Sequence, residues 1–276
     1  MKVTKTDVRK VYPKRDPWSH KGDFGKVLVI GGSKKYTGAP GLAALTALKA
    51  GADLVTVAAP QRAAGIIATF SPDLITYPLS GSYITKIHLK EILGLADDAD
   101  SIVIGSGIGR NKQTLDLILQ LLDDTDLPCV IDADALHAFT KNLELFKENY
   151  ILTPHSREFQ NLFGGKIDSV EERIKFVKYV ANKYKPTIIL KGHVDVISNG
   201  ASTKINETGN PHMTVGGTGD VLAGICGALL STGNDAFSAA CAAAYISGAA
   251  GDKADKTFGI SLTALDVINN IYKVIG

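Results

Sequence analysis

The sequence alternates short apolar runs with longer segments of helical periodicity, and this alternation limits the fold more than any other feature. The clearest apolar runs are Lys26–Ile30, Ser101–Ile104, Tyr150–Leu152 and Thr187–Leu190. Nearly continuous apolar strands that alternate with helices are typical of a parallel sheet buried on both faces. We therefore predict an α/β fold with a mostly parallel central sheet and helices on both of its faces.

The same pattern predicts five further strands and seven main helices. The further strands are Asp53–Ala58, Asp73–Tyr77, Pro128–Ile131, His193–Ser198 and Ser202–Asn206, the last two flanking a hairpin signal at Asn199-Gly200. The helices are Gly41–Ala50, Thr85–Leu95, Gln113–Leu122, Val170–Tyr184, Val221–Leu230, Ala236–Ala250 and Leu262–Val274. No repeat or Pro/Gly/Ser linker divides the chain, so we expect one domain over residues 1–276.

Composition excludes several classes of protein. With 30 Lys+Arg against 28 Asp+Glu the chain lacks a nucleic-acid-binding charge excess, and 45% hydrophobic residues argue against disorder. Three cysteines without CxxC pairing indicate a reducing compartment rather than a disulfide framework. Met1–Ser19 has no apolar core of a signal peptide, and no segment reaches the roughly 20 apolar residues that span a bilayer. We expect a cytoplasmic protein with no nucleic-acid or membrane partner.

Ligands of open α/β sheets bind at the carboxyl ends of the strands, so the residues that follow the strands are the candidates for a site. We predict that five strands end beside one cleft, near Gly31, Gly105, Asp132, Thr153 and Lys191.

The sharpest candidate is Gly216-Gly217-Thr218-Gly219-Asp220, which leads directly into a predicted helix. Three glycines in four positions let the backbone approach a ligand, and a helix N-terminus there suits phosphate. The motif is not a Walker A loop, because no Gly-Lys-Ser/Thr follows. Asp220 has two interpretations: a base beside the anion site, or an aspartate that only interacts with the helix dipole.

Four other turns carry weaker signals. Gly105–Gly109 has the spacing G-x-G-x-G, which is not the dinucleotide-binding fingerprint. Thr153-Pro154-His155 ends a strand, and its histidine is equally suited to a ligand or to the backbone; the six histidines lack zinc-binding spacing. In Asp132-Ala133-Asp134 a magnesium role competes with an N-cap role for Asp134, which we favour. Lys191–Asp195 is either a nucleotide-binding loop or a solvated hairpin entry.

Taken in order, these pieces resemble one known family. The segment Ser19–Ser33, S-H-K-G-D-F-G-K-V-L-V-I-G-G-S, closely resembles the opening of the ADP-dependent NAD(P)H-hydrate dehydratases. The other matching motifs are Thr37-Gly38-Ala39, Gly105–Gly109, Asp132–Leu136, Thr153-Pro154-His155, Leu190-Lys191-Gly192 and Asn210–Gly224. The resemblance runs from Ser19 to Asp252 and implies a ribokinase-like fold.

The resemblance also implies an activity and the residues that support it. Such an enzyme returns NADHX and NADPHX, the hydrated forms of the cofactors, to NADH and NADPH with ADP or ATP as co-substrate and Mg²⁺. The residues implied to contact the hydrate are Ala39, Gly107, His155 and Asp220. The residues implied to hold the nucleotide are Lys191, Gly192, His193, Val194, Asp195 and Gly219, to which the glycine motif adds Gly216, Gly217 and Thr218.

Relatives often form tetramers, and bifunctional relatives carry a fused epimerase domain. About 25 residues precede Lys26, so we expect this chain to lack the epimerase domain. The departures from the family pattern are Ser106 and Ser156 for Pro, Arg157 and His212 for Gly, and Thr214-Val215 for Ala-Thr. They flank the motif cores and leave the contacts around His155 and His212 open.

Hydroxide is a poor leaving group, so loss of water from the hydrate needs activation. Phosphorylation of the hydroxyl by a nucleotide supplies it, with Asp220 as the base and the Gly216–Gly219 amides and Mg²⁺ stabilising the moving phosphoryl group. A small-alcohol kinase of the same fold, for a vitamin precursor or a sugar, is the alternative, because it shares this first step. A non-enzymatic nucleotide sensor is a third reading, but a sensor has no use for a base at this position.

Overall fold

The computed structural model describes residues 1–276, and a nine-stranded sheet forms its centre. The strands are β1 Lys26–Ile30, β2 Leu54–Pro60, β3 Ile75–Leu79, β4 Ser101–Ile104, β5 Cys129–Ile131, β6 Tyr150–Leu152, β7 Thr187–Leu190, β8 Asp195–Ser198 and β9 Thr203–Asn206. Their order is β3-β2-β1-β4-β5-β6-β7-β8-β9. All pairs from β3 to β7 are parallel, whereas β8 and β9 are antiparallel additions at one edge. The predicted mostly parallel α/β fold is confirmed.

Five strands end where the sequence predicts: β1, β4, β5, β6 and β7 stop one residue before Gly31, Gly105, Asp132, Thr153 and Lys191. The strand order reverses between β1 and β4, because β2 lies on one side of β1 and β4 on the other. A reversal of this kind opens a crevice at the carboxyl ends of the strands, where α/β proteins bind ligands.

Eleven helices cover the sheet. They are α1 Lys5–Val11, α2 Ala39–Lys49, α3 Gln61–Ile67, α4 Leu89–Ala96, α5 Lys112–Asp123, α6 Ser156–Phe163, α7 Val170–Tyr184, α8 Thr218–Ser231, α9 Ala236–Phe258, α10 Ala264–Ile268 and α11 Tyr272–Ile275. Short 3₁₀ turns occupy Lys86–His88, Ala133–Lys141, Leu143–Leu145, Pro211–Met213 and Gly259–Ser261.

The hydrophobic core has two layers, one on each face of the sheet. Val27 and Val29 of β1 join the cluster formed with α1–α3 and α8–α11, while Leu28 and Ile30 join the cluster formed with α4–α7. Successive side chains of a strand point to opposite faces, so a strand buried on both faces must be apolar throughout. This is the physical reason for the continuous apolar runs in the sequence.

Several predicted elements differ from the observed ones. The predicted helix Thr85–Leu95 is a 3₁₀ turn, Lys86–His88, followed by α4, and the predicted strand His193–Ser198 begins only at Asp195. The predicted helix Leu262–Val274 is two short helices, and Asn270 at the break donates its side-chain amide to the Asp266 carbonyl, in competition with helix bonding. Helix α9 runs past Ala250 and ends at Gly259, which has a positive φ of 50°. Strand β3 is displaced by two residues and includes Pro78, which an edge strand tolerates.

Candidate active site

A cleft of about 610 Å³ lies at the carboxyl ends of the strands, between the β7 end and the start of α8. It brings together seven of the predicted site residues: His155, Lys191, Gly192, His193, Asp195, Thr218 and Gly219. Its other lining residues are Thr208, Gly209, Asn210, Pro211, Met213, Thr214, Leu222, Ala244, Ser247 and Gly248. Segments distant in the sequence therefore meet at one concave surface.

The predicted hydrate-binding residues Ala39 and Gly107 lie together, outside the lining of this cleft. A Cβ on Gly107 would be 3.6 Å from the Ala39 Cβ and 2.6 Å from the Tyr36 Cβ. Ala39 is the first residue of α2, which follows β1, and Gly107 is in the turn after β4. Both thus belong to the crevice at the switch point of the sheet.

Helix α8 begins at Thr218, as the glycine motif predicts, and Gly217 precedes it with φ +99°. Gly219 has no positive φ, so Gly217 makes the turn. A Cβ on Gly216 would meet no atom within 4 Å, and a Cβ on Gly219 would meet only the Lys191 Nζ, at 3.4 Å. The first turn of a 14-residue helix therefore faces open space beside an ammonium group, a suitable arrangement for phosphate.

Asp220 is not a helix cap. The cap position of α8 is Gly217, and no side chain caps the helix. Burial and the neighbouring Asp132 raise the pKa of the Asp220 carboxyl to about 7, although the charge of Lys191 opposes the shift. A carboxylate with a pKa near neutrality is suited to general-base catalysis at physiological pH.

The half-buried Lys191 and the buried Asp132 and Thr153 form a polar cluster at the ends of β7, β5 and β6. The Lys191 Nζ lies 3.2 Å from Asp132 Oδ1, and the Thr153 hydroxyl donates to the same oxygen at 2.6 Å. Burial lowers the pKa of Lys191, but Asp132, Glu158 and Asp220 raise it by more, so the ammonium stays charged. The cluster holds a fixed positive charge next to the first turn of α8.

The structure corrects the N-cap role expected for Asp134. The cap position of the 3₁₀ turn is Asp132, whereas Asp134 accepts a hydrogen bond from the Gly109 amide at 3.1 Å and pairs with Arg110. Asp134 thus fastens the glycine turn that follows β4. Asp132, for which the sequence offered a magnesium role, has a defined partner in Lys191.

His155 satisfies the backbone with one ring nitrogen and lies beside the Glu158 carboxylate with the other. Its Nδ1 accepts from the amides of Arg157 and Glu158 at 3.1 and 3.3 Å, which caps α6. Because Nδ1 accepts, the proton of the neutral ring is assigned to Nε2, which lies 3.3 Å from a Glu158 carboxylate oxygen. The side chain is 53% exposed and lines the cleft.

The segment Lys191–Asp195 is a shaped loop rather than a fully solvated hairpin entry. Asp195 accepts from the Gly192 amide and from the buried Asn206 amide group, each at 3.0 Å. Burial raises the pKa of Asp195 despite these bonds. His193 and Gly192 are exposed at the cleft, and Val194 is half-buried.

His212, one of the departures from the family pattern, is exposed and pairs with Asp255 of α9 at 2.6 Å. The neighbouring Asn210 caps the 3₁₀ turn and bonds Asp252. His212 therefore fastens the cleft rim to the longest helix.

The side chains offer no metal cage of their own, since no group of three or more His, Cys, Asp or Glu residues is placed to hold an ion. Mg²⁺ in nucleotide sites is commonly held by phosphate oxygens and water, with few protein ligands. The open cleft fits a magnesium ion that arrives with a nucleotide.

Comparison with known protein families decides the identity. The family model described as NAD(P)H-hydrate dehydratase matches residues 27–273. The chain belongs to this family. The resemblance visible in the sequence is thereby confirmed, and the dehydratase interpretation is favoured over the kinase alternative.

Two relatives show the extent of the match. The ADP-dependent (S)-NAD(P)H-hydrate dehydratase of Nitrosopumilus maritimus is 40% identical over 275 residues, which cover 99% of this chain and 96% of that protein. The bifunctional NAD(P)H-hydrate repair enzyme of Methanothermobacter thermautotrophicus is 42% identical over 268 residues, 95% of this chain. The chain spans about half the length, 52%, of that bifunctional relative.

Two solved structures have the same fold. An ADP/ATP-dependent NAD(P)H-hydrate dehydratase of Bacillus subtilis, co-crystallised with ATP/Mg²⁺, has a TM-score of 0.80 at 26% identity and covers 99% of this chain and 96% of its own. A ribokinase-like superfamily protein of Enterococcus faecalis has a TM-score of 0.84 at 25% identity, covering 99% of this chain and 94% of its own. The ribokinase-like fold implied by the sequence is confirmed. No helix of the chain combines the length and apolar character that crossing a membrane requires.

Three residues of the site have roles that the sequence did not assign: Asp132, Thr153 and Arg173. The first two follow strands, which is a signal available in the sequence. Arg173 lies within α7 and contacts the Lys191 loop only through tertiary structure.

Proposed function

We propose that this chain dehydrates NADHX and NADPHX to NADH and NADPH, with ADP or ATP as co-substrate. The observation that carries the proposal is Asp220, a carboxyl with a pKa near 7 in the first turn of α8, whose N-terminus is positively polarised. Asp220 is not among the residues that line the cleft; its neighbour Gly219 is. A base and a phosphate site side by side are what phosphorylation of a hydroxyl requires. The names of the relatives supply the hydrate as the hydroxyl-bearing substrate.

In the first step the hydrate hydroxyl attacks the terminal phosphorus of ADP. Its proton passes to Asp220, and AMP leaves with the electron pair of the broken P–O bond. The negative charge on the moving phosphoryl group is stabilised by the main-chain amides of Thr218 and Gly219 and by the ammonium of Lys191. Asp132 and Thr153 keep that ammonium in place.

In the second step the lone pair of the ring nitrogen expels phosphate with the C–O bonding pair. Loss of a proton from the neighbouring ring carbon then restores the dihydronicotinamide. Ala39, Gly107 and His155 are assigned to the hydrate by the family resemblance. Ala39 and Gly107 lie together at the switch point of the sheet, and His155 lines the cleft. The loop Lys191–Asp195 and the turn Gly216–Gly219 are assigned to the nucleotide.

Mg²⁺ is proposed to enter on the nucleotide phosphates, where it would offset their negative charge. The Bacillus subtilis structure obtained with ATP/Mg²⁺ supports this co-substrate and this ion. The first turn of α8 is proposed to bind the phosphates through its main-chain amides, and the Lys191 ammonium to add a positive charge beside them.

The remaining expectations are part of the same proposal. The 276 residues are proposed to act as one dehydratase domain. A homotetramer and a cytoplasmic location stay predictions from the family and from the cysteine usage.

The deciding experiment mixes the protein with NADHX or NADPHX, ADP or ATP, and Mg²⁺, and follows the absorbance of reduced nicotinamide. Recovery of that absorbance together with AMP and phosphate is the expected result. A stable phosphorylated alcohol as product would instead indicate a kinase.

ADP or ATP should also raise the Tm of the protein, since a ligand that binds only the folded state stabilises it. No shift of Tm at millimolar nucleotide would contradict the nucleotide site.

A further inference from the structure

Arg173 of α7 lies behind the nucleotide loop and is bonded to its main chain. Its Nη2 donates to the carbonyl oxygens of Leu190 at 3.1 Å and Lys191 at 2.9 Å, and lies 3.5 Å from that of Val194. A guanidinium presents its donors in a rigid planar fork, so these contacts define the path of the loop.

The other hydrogen bonds of the loop involve its amides and the side chains at its two ends, Lys191 and Asp195. The Lys191 amide donates to Pro154, and the Gly192 amide donates to Asp195, while the carbonyls on this side of the loop face Arg173. A Cβ on Gly192 would lie 2.5 Å from the Arg173 Nη2. The loop therefore passes directly over the guanidinium, and any larger residue at position 192 would displace it.

The same guanidinium also reaches the turn that carries His155. Its Nη1 donates to the Ser156 hydroxyl at 3.1 Å, and Ser156 is the first residue of α6. Arg173 thus bridges the turn assigned to the hydrate and the loop assigned to the nucleotide.

One donor of Arg173 is left unsatisfied for this arrangement. Its Nε is buried without a hydrogen-bond partner. A buried donor without a partner costs free energy, so the side chain is oriented by its two functional segments rather than by the best satisfaction of its own donors.

We propose that Arg173 is a positioning residue that holds the Lys191–Asp195 loop in its nucleotide-binding conformation and couples that loop to the His155 turn through Ser156. The inference rests on the proposed function. Without the fork the loop carbonyls lose their donors, and the loop must be ordered again each time a nucleotide binds. The KM for nucleotide should therefore rise by more than kcat falls.

The test compares Arg173→Met and Arg173→Lys with the parent enzyme in steady-state kinetics. Loss of several bonds to a charged donor should raise the KM for ADP by about 10- to 100-fold in Arg173→Met, with kcat changed by less than about fivefold. Arg173→Lys keeps the charge but not the fork, and should lie between. Lys178→Met, which removes an exposed cation from the same helix, is the control and should match the parent.

Ser156→Ala tests the coupling with a smaller change. It should raise the KM for ADP by about two- to fivefold, and the double variant with Arg173→Met should behave like Arg173→Met alone, because the two groups act through one bond. Should Arg173→Met fail to fold, Arg173→Lys and Ser156→Ala carry the test.

The outcomes separate this inference from the proposed function. A parent enzyme that neither binds ADP nor regenerates NADH contradicts the proposed function itself. An active parent whose Arg173 and Ser156 variants keep an unchanged KM for ADP overturns only the positioning role. A fall of kcat and Tm in all variants, in parallel with the rise of KM, would mean that Arg173 has only a structural role.

Discussion

The glycine turn after β4 and the glycine turn before α8 have similar compositions and different surroundings. In Gly105–Gly109, a Cβ on Gly105 would lie 1.8 Å from the Asp132 carbonyl oxygen, and one on Gly107 would lie 2.6 Å from the Tyr36 Cβ. In the turn Gly216–Gly219, a Cβ on Gly216 would meet nothing within 4 Å. The first turn needs glycine for packing against protein, and the second leaves room for a ligand.

The difference shows why glycine content alone does not identify a phosphate site. Gly105 and Gly107 have positive φ angles of 130° and 62°, so their turn is defined by the protein itself. In the second turn only Gly217 has a positive φ, and its Cβ would lie 2.7 Å from a Leu42 side-chain carbon. The open positions on either side of it, Gly216 and Gly219, are those proposed for the nucleotide.

The largest expected effect is the loss of turnover when Asp220, beside the open glycine turn, is replaced. Asp220→Asn keeps the shape of the side chain at the open turn but removes the base, so turnover should fall by about 10²- to 10⁴-fold. Nucleotide affinity should be kept or should rise, because a negative charge beside the phosphates is lost. Turnover assays and nucleotide titrations of the same preparation check both. Turnover equal to that of the parent would mean that Asp220 is no base.

The next effect tests the packed turn. Gly105→Ala forces a Cβ against the Asp132 carbonyl at an unfavourable φ, and should lower the free energy of unfolding by about 2 kcal/mol or more. Chemical denaturation of the variant and the parent measures it. A variant as stable as the parent would contradict the claim that the turn Gly105–Gly109 needs glycine for packing.

The pH dependence follows from the raised pKa of Asp220. Below pH 7 the carboxyl becomes protonated and loses its proton-accepting role, so kcat/KM should fall about tenfold per pH unit. The kcat/KM of Asp220→Asn, which has no titratable group at this position, should lack this dependence. A profile of the parent without a titration near pH 7 would contradict the role of Asp220 as the base.

The same shift has a consequence for stability. The folded state holds the Asp220 proton more tightly than the unfolded state, so between pH 3.8 and about 7 the folded state binds more protons. The contribution of Asp220 to stability is full below pH 3.8 and is lost as the pH rises through 7. Asp220→Asn should accordingly be more stable than the parent above pH 7, and the difference should vanish in acid.

The smallest effect concerns the open turn. Gly216→Ala adds a methyl group in open space at a position without positive φ, and should change the free energy of unfolding by less than about 0.5 kcal/mol.

Gly219→Ala should be similarly stable but should weaken nucleotide binding, since its methyl group would lie 3.4 Å from the Lys191 Nζ, in the space assigned to phosphate. Thermal unfolding with and without ADP separates the two variants. Equal shifts of Tm by ADP in both would count against the phosphate position.

Much of the fold follows from local sequence. The strand ends at Gly31, Gly105, Asp132, Thr153 and Lys191, the helix start at Thr218 and the hairpin at Asn199-Gly200 agree with the structure. Each depends on residues a few positions apart, through apolar periodicity or through the backbone freedom of glycine. Local patterns therefore determined the frame of the site and its candidate residues.

The pairing of those residues was decided only by the tertiary structure. Lys191 and Asp132 are 59 positions apart and meet because β5, β6 and β7 are adjacent in the sheet. Asp134 bonds a turn 25 positions away rather than its own helix, and Arg173 meets Lys191 only because α7 packs behind β7 and β8. The raised pKa of Asp220 arises in the same way, from burial and from Asp132 on another strand end. Periodicity determines which residues end a strand, but sheet order and burial decide which charges face one another.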